Sequence, residues 1–375
     1  MSLALLTYST KPRGGVVHTL ALAEALHDLD VDVCVVALGD PAAGFFRAVR
    51  APVTIVPGPS GVETLEEKVA GSIDALTAVL HSVDATVLHA QDCISARAAA
   101  RVRAGGEAVT VVRTVHHVDD FTSAVLMDCQ RAAILEPDVV LVVSEAWRRT
   151  LAEDYGVGAD VVPNGVDVER FAGASRTRAG ELRRSIRAVD RPLVLSVGGI
   201  EPRKGSDTLV RALAVLIRKG LRPVLAVVGG HSFQDHRAYR EAVLAELPDL
   251  GLELDVDVVS VGTVADDDMP AWYAAADVLA FPSVKEGFGL AVLEAMSAGV
   301  PVVASDLPVF REYLVDGRDA LLVPVGDVDG LVSALSSALF DDAVRRRLVA
   351  AGAEVVRRYT WRASAQRHLE IYAGL

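Results

Sequence analysis

Twice along this chain, short runs of valine, leucine and alanine alternate with longer stretches of helical period, and no other feature restricts its folding so sharply. The first series has apolar runs at 3–9, 31–38, 53–56, 85–90, 108–116, 139–144 and 159–165, with helical segments at 16–29, 65–80, 94–104 and 145–155. The second has runs at 191–199, 222–230, 256–262, 278–283, 301–305 and 321–325, with helical segments at 205–219, 236–246, 268–276, 290–298, 327–339 and 341–357. Near-continuous apolar runs suit parallel strands covered by helices on both faces. At about 150 residues per domain, 375 residues accommodate two such units.

The fold expected is therefore α/β, with two Rossmann-like, doubly wound parallel-sheet domains facing an interdomain cleft. Their boundaries are set at 1–165 and 191–357, with the polar stretch 166–190 as linker and 358–375 as a C-terminal helix crossing back to the first domain. Ligands of such sheets bind beyond the carboxyl ends of the strands, where the strand order reverses.

Composition narrows the function. Hydrophobic residues make up 51%, enough for large cores, and 37 basic against 50 acidic residues give −13, which disfavours nucleic acid as a partner. Cys34, Cys93 and Cys129 form no CxxC pair, so neither a disulfide framework nor a cysteine zinc site is signalled. The start MSLALLTYSTKPRGG has no basic n-region, and no apolar run reaches 18 residues, which points to a cytoplasmic protein and leaves peripheral membrane contact open.

The residues that carry chemistry cluster in VLAFPSVKEGFGLAVLEAMSAG (278–299). A strand ends near Pro282, a loop holds Glu286, Gly287, Phe288 and Gly289, and a helix opens near Leu290. Free amides and a partial positive charge at a helix N-terminus seat an anion such as diphosphate, and glycines let the backbone approach it. Glu286 and Glu294 lie eight residues apart, one before the helix and one inside it, as two acceptors for a polyhydroxylated ligand. Taken singly, the first would be a solvated loop acid and the second a surface residue.

This string resembles the Glu-x7-Glu signature of retaining, nucleotide-sugar-dependent glycosyltransferases of the GT-B fold, family four. The resemblance spans almost the whole chain. It implies transfer of a sugar from a nucleotide-diphosphate donor to an acceptor hydroxyl, with a C-terminal domain holding the nucleotide and an N-terminal domain on the acceptor side. Glu286 would contact the donor sugar, the amides of Gly287, Phe288, Gly289 and Leu290 sugar and phosphate, and Glu294 the ribose. KPRGGVVHTL resembles the family's glycine loop, which makes Gly14 and Gly15 phosphate contacts; alone, a Gly-Gly pair is also an ordinary turn. In SVGGIEPRKGSDTL (196–209), Lys204 matches the family lysine, Gly199 stands where the family has arginine, and Arg203 is the candidate substitute. Both cations would neutralise the departing diphosphate. In TVHHVDDF (114–121), His116 or His117 matches the histidine facing the donor sugar.

Other strings are ambiguous. HAQD (89–92) reads as a first-domain acidic loop whose Asp92 could face the acceptor, VVPNGVDVERF (161–171) as an interdomain segment or a Pro-Asn-Gly turn, and YTWRASAQRHLEIY (359–372) as the closing helix. His231 and His236, five apart, suit surface positions, as do the arginines at 345–347 and 357–358. ADDDMPAW (265–272) reads as a helix start. HHVDD lacks a further ligand cluster, so no metal is expected. Two other readings stand beside transfer: a non-catalytic nucleotide-sugar sensor or partner protein, supported by Gly199, and an NAD-dependent oxidoreductase. The latter needs GxGxxG, to which GFGLAV (287–292) is an incomplete match.

Overall fold

The computed structural model describes residues 1–61, 64–230 and 236–375, and its chain divides into two compact units, Met1–Gly165 with Trp361–Leu375, and Val166–Thr360. In the first, strands β1 (Ser2–Thr7), β2 (Asp32–Leu38), β3 (Val53–Val56), β4 (Val87–Ala90), β5 (Thr110–Val115), β6 (Val139–Val142) and β7 (Asp160–Val161) form one parallel sheet, in the order β3-β2-β1-β4-β5-β6-β7. Its helices are α1 (Gly14–His27), α2 (Leu65–Leu80), α3 (Cys93–Ala104), α4 (Ala124–Leu135) and α5 (Glu145–Tyr155), and the final helix of the chain, Trp361–Tyr372, belongs to it. Leu3, Leu5, Val33, Val35, Val87 and Val112 fill the sheet side of a core closed by Leu20, Leu22 and Leu26 of α1. The order reverses between β1 and β4.

The second unit opens with α6 (Val168–Ala172) and α7 (Arg176–Ser185), so the stretch expected as a linker is helical and packs inside this unit. Arg178 makes a two-pronged ion pair with Asp268 and Arg170 pairs with Asp266, which places the acids of ADDDMPAW in contact with these helices. Such contacts join residues about 90 positions apart and leave no local pattern. Strands β8 (Leu193–Val197), β9 (Val224–Val228), β10 (Val258–Gly262), β11 (Val278–Phe281), β12 (Val302–Ser305) and β13 (Leu321–Val323) form a parallel sheet ordered β10-β9-β8-β11-β12-β13. Around it lie α8 (Ser206–Arg218), α9 (Arg237–Glu246), α10 (Met269–Ala275), α11 (Leu290–Ser297), α12 (Pro308–Arg311), α13 (Val328–Phe340) and α14 (Asp342–Val356); α15 is the Trp361–Tyr372 helix. Here the reversal falls between β8 and β11, whose registers join Val194 to Val278 and Leu195 to Leu279.

Three local differences from the sequence reading have simple causes. α4 was not anticipated because its buried side is only Leu126, Cys129, Ala133 and Ile134. β7 is two residues long, since Pro163 cannot donate to a ladder. Asp92 accepts from the amides of Ser95 and Tyr8, so it caps α3 and ties it to the end of β1. His231 lies outside the described residues; His236 directly precedes α9. Among the described residues, no helix is long and apolar enough to cross a membrane.

Four histidines gather where α15 meets the first sheet. The His18 ring lies 4.6 Å from His116 and 6.2 Å from His368, and the His89 ring 5.6 Å from His368. His18 Nδ1 is 2.9 Å from Asn164 Oδ1, and His89 bridges Tyr372 Oη and Thr114 Oγ1 at 2.6 and 2.8 Å. Burial lowers all four, His18 to about 3 and His368 to about 4. The unfolded chain therefore binds protons below the ordinary histidine value that the folded chain refuses, and stability falls as pH drops. Glu286, held at about 2, is still ionised in this range, while Asp92 and Glu294, raised by burial, work in the opposite sense but are fewer. Denaturant titrations at pH 7.5 and 5 are expected to show the chain weakened at pH 5 by on the order of 1 kcal/mol per buried ring, with the loss reduced in His368→Gln.

Candidate active site

Loops leaving β8 and β11, the two strands at the reversal of the second sheet, carry the charged groups. After β8 the chain makes a 3-10 turn, Pro202–Lys204, and enters α8; after β11 it runs through Ser283 to Glu286 and enters α11 behind Gly289. The Val284 amide donates to the Arg203 carbonyl, which fastens one loop to the other. Gly205, at φ +64°, is needed at this junction because a Cβ there would stand 2.1 Å from the Pro282 carbonyl oxygen.

Glu286 is the centre. Its Oε1 accepts from Lys204 Nζ at 2.6 Å, Arg203 Nη1 at 3.0 Å and Ser283 Oγ at 3.0 Å. The Glu286 side chain is 8% exposed and that of Lys204 10%. Burial alone would push the Glu286 carboxyl up, but Lys204 and Arg203, aided by hydrogen bonds from Lys204 and Ser283, bring it down to about 2. Burial also lowers the Lys204 ammonium, against the pull of Glu286. Its Nζ lies 4.3 Å from the Phe281 ring centroid, and Gly198, at φ +124°, gives its stem room: a Cβ there would sit 2.4 Å from Lys204 Cε.

The loop between Glu286 and α11 is braced from below. Phe288 is buried and stacks on Tyr313 at 5.3 Å, whose hydroxyl donates to the Phe288 carbonyl at 2.8 Å. Gly289 stands at φ +90° where a Cβ would meet the Phe310 ring at 2.5 Å. The Phe288 side chain thus serves the core, and what the Gly287–Leu290 segment offers a ligand is backbone at a helix N-terminus. Glu294 accepts from the buried Tyr273 hydroxyl at 2.5 Å and lies apart from the Lys204 and Arg203 contacts. Gly199, at φ +80°, fits against the Gly230 carbonyl, where a Cβ would come within 2.6 Å. A side chain at this position would have to displace the Gly230 backbone in the loop after β9, and Arg203 places a guanidinium beside Glu286.

In the first unit, Gly14 and Gly15 open α1, with no side chain capping its first amides. A Cβ on Gly15 would lie 3.7 Å from His116 Cδ2, while Gly14 faces open space. His116, rather than His117, therefore neighbours the glycine loop; His117 Nε2 is 3.2 Å from Asp119 Oδ1. His116 Nε2 lies 3.0 Å from Gln91 Oε1. Sequence reasoning passed over Ser283, Tyr313, Gln91 and His18 as site residues. Ser283, Gln91 and His18 stood inside quoted strings, VLAFPSVKEGFGLAVLEAMSAG, HAQD and KPRGGVVHTL, whereas Tyr313 stood in none. Among the described residues, no group of three His, Cys, Asp or Glu is placed to hold a metal ion.

With this geometry in view, comparison with known proteins is informative. Residues 12–170 match the family model "Glycosyltransferase Family 4" and residues 191–341 match "Glycosyl transferases group 1". A GDP-mannose-dependent alpha-(1-6)-phosphatidylinositol monomannoside mannosyltransferase of Mycobacterium tuberculosis is 32% identical over 326 residues, covering 83% of this chain and 78% of that protein. A phosphatidyl-myo-inositol mannosyltransferase of Mycobacterium leprae is 36% identical over 234 residues, 62% of this chain; the match spans only 58% of that protein. Among solved structures, Anabaena HepE in complex with UDP-glucose superposes with a TM-score of 0.84 at 21% identity over 100% of both chains. A sucrose-phosphate synthase from Thermosynechococcus elongatus does so with 0.83 at 22%, over 100% of this chain and 99% of that one. The chain belongs to the family-four, group 1 glycosyltransferases, and its two parallel-sheet α/β units are those of the GT-B fold.

Removing one partner from a buried ion pair leaves the other uncompensated, typically at a cost of about 3–5 kcal/mol. Lys204→Ala is expected to destabilise the folded chain in urea titrations by roughly that amount, less what Arg203 and water recover. Gly198→Ala should lose stability through the same lysine.

Proposed function

We propose that the chain transfers a sugar, with retention of anomeric configuration, from a nucleotide-diphosphate donor to an acceptor hydroxyl. The observation that carries this reading is the buried Glu286 carboxylate, held by Lys204, Arg203 and Ser283 beside the N-terminus of α11, which no side chain of its N-cap Gly289 covers. An ionised carboxylate is an acceptor for sugar hydroxyls, and the adjoining cations and amides suit a diphosphate. Glu294 serves the ribose of the same nucleotide. In the first unit, Gly14 and Gly15 supply amides to phosphate and His116 meets a sugar hydroxyl.

The step follows the same-face course that the family resemblance implies. The bond from the anomeric carbon to the β-phosphate oxygen breaks, the acceptor oxygen bonds to that carbon from the same face, and the acceptor proton passes to the leaving phosphate. Lys204 and Arg203 stabilise the charge that grows on the diphosphate, and most of the acceleration comes from positioning and this electrostatic support. Mannosyltransferases among the relatives make GDP-mannose the first donor to try and a polyhydroxylated acceptor, glycolipids included, the first class of acceptor. No metal is assigned a role.

Gly199 favours a second reading, binding of a nucleotide sugar without transfer. A thermal-shift panel of GDP-, UDP-, ADP- and dTDP-sugars separates the two when combined with a transfer assay, because a ligand of the folded state raises the unfolding temperature. One donor class should stabilise the chain and be turned over; stabilisation with neither transfer nor donor hydrolysis would favour the sensor. In Glu286→Gln, turnover should drop by about 100-fold or more while the donor-induced shift is largely kept.

A further inference from the structure

We propose that Gln91 is a positioning residue that fixes His116 as the Nε2–H tautomer, so that the imidazole presents Nδ1 as a hydrogen-bond acceptor to a sugar hydroxyl. The second clause rests on the reading of His116 given above; the first rests on the Gln91–His116 contact and the orientation of the Gln91 side-chain amide. Gln91 follows β4 directly, and its amide donates to the Leu6 carbonyl of β1 at 3.0 Å, which fixes its backbone at the point where the first sheet reverses. The residue is 3% exposed. With the Gln91 amide in this orientation its Oε1, an acceptor only, lies 3.0 Å from His116 Nε2, which makes the imidazole the donor, while Gln91 Nε2 is buried without a partner. A neutral imidazole that donates through Nε2 has its lone pair on Nδ1.

Three further features support the assignment. His116 is partly exposed, and among the described residues its Nδ1 neither makes a hydrogen bond nor belongs to the buried side-chain atoms without a partner, which leaves it accessible. The ring cannot turn freely, because the His18 ring meets it at 4.6 Å with an interplanar angle of 72°, and His18 is itself held by Asn164. The groups facing it are His18 from α1, His89 from β4, Arg113 from β5 and His117 from its own loop; with burial they hold it well below the ordinary histidine value. The ring is therefore neutral at pH 7, and one proton must be placed on one of two nitrogens. Gln91 makes that choice where a carboxylate would instead favour the doubly protonated ring.

The test reads the tautomer first and catalysis second. In the full chain labelled with 15N-histidine, the His116 signal, identified among nine histidines by its loss in His116→Asn, should show protonated Nε2 and bare Nδ1 from pH 8 to 6. Gln91→Leu should give a mixture of tautomers and a kcat lower by roughly 10-fold, with KM for the donor nearly unchanged. Gln91→Glu should raise the titration of His116 towards neutrality and make transfer fall between pH 8 and 6, where the unmodified chain stays level. A wild-type His116 protonated on Nδ1 overturns the proposal, as does a Gln91→Leu chain with tautomer and rate unaltered. Should Gln91→Leu fail to fold, the wild-type spectrum and the Gln91→Glu titration decide. The spectra need no substrate, so a chain that transfers no sugar would overturn the glycosyltransferase reading while the tautomer is still measured.

Discussion

The contact on which the second unit's site depends is the buried ion pair between Glu286 and Lys204, made between loops that leave neighbouring strands β11 and β8. A carboxylate and an ammonium each lose several kcal/mol of hydration when taken out of water, and only close geometry with further hydrogen bonds offsets the loss. Ser283 and Arg203 provide those bonds. The result is a carboxylate that stays ionised in a largely dry setting, where its interactions with a polar ligand are stronger than they would be in water. Neither loop can make this arrangement without the other.

Glycine is what allows the loops to come so close. Gly198, Gly205 and Gly289 each occupy left-handed backbone where a Cβ would strike a neighbour, and the neighbours are Lys204, Pro282 and Phe310. The same logic applies at position 199, where the backbone is folded against Gly230 and a Cβ would come within 2.6 Å of its carbonyl oxygen. Four residues further along, the Arg203 guanidinium reaches the Glu286 carboxylate.

The first unit solves a different problem, with neutral groups. Its polar cluster is built from imidazoles, Gln91, Asn164 and Thr114, buried except at the partly exposed His116 and uncharged at neutral pH. Hydrogen-bond direction, rather than charge, carries the information there. That also makes α15 part of the cluster, since His368 and Tyr372 come from a helix more than 250 residues after β4.

The sequence by itself determined the two parallel-sheet units and singled out Glu286, Lys204, Arg203, Gly15 and His116 as candidates. The units were legible because a parallel strand must be apolar on both faces, and the glycines and cations because anion seats need them beside a helix start; Glu286 and His116 were singled out through the family resemblance. Only the tertiary structure decided that Arg203 and Lys204 converge on Glu286, that Asp92 caps a helix, that 166–190 packs as helices, that Phe288 serves the core, and that Gln91 and His18 hold His116. Apart from the Asp92 cap on Ser95, these rest on contacts between residues far apart in sequence, where the energy depends on distance and burial, and neither quantity is written in the order of the amino acids.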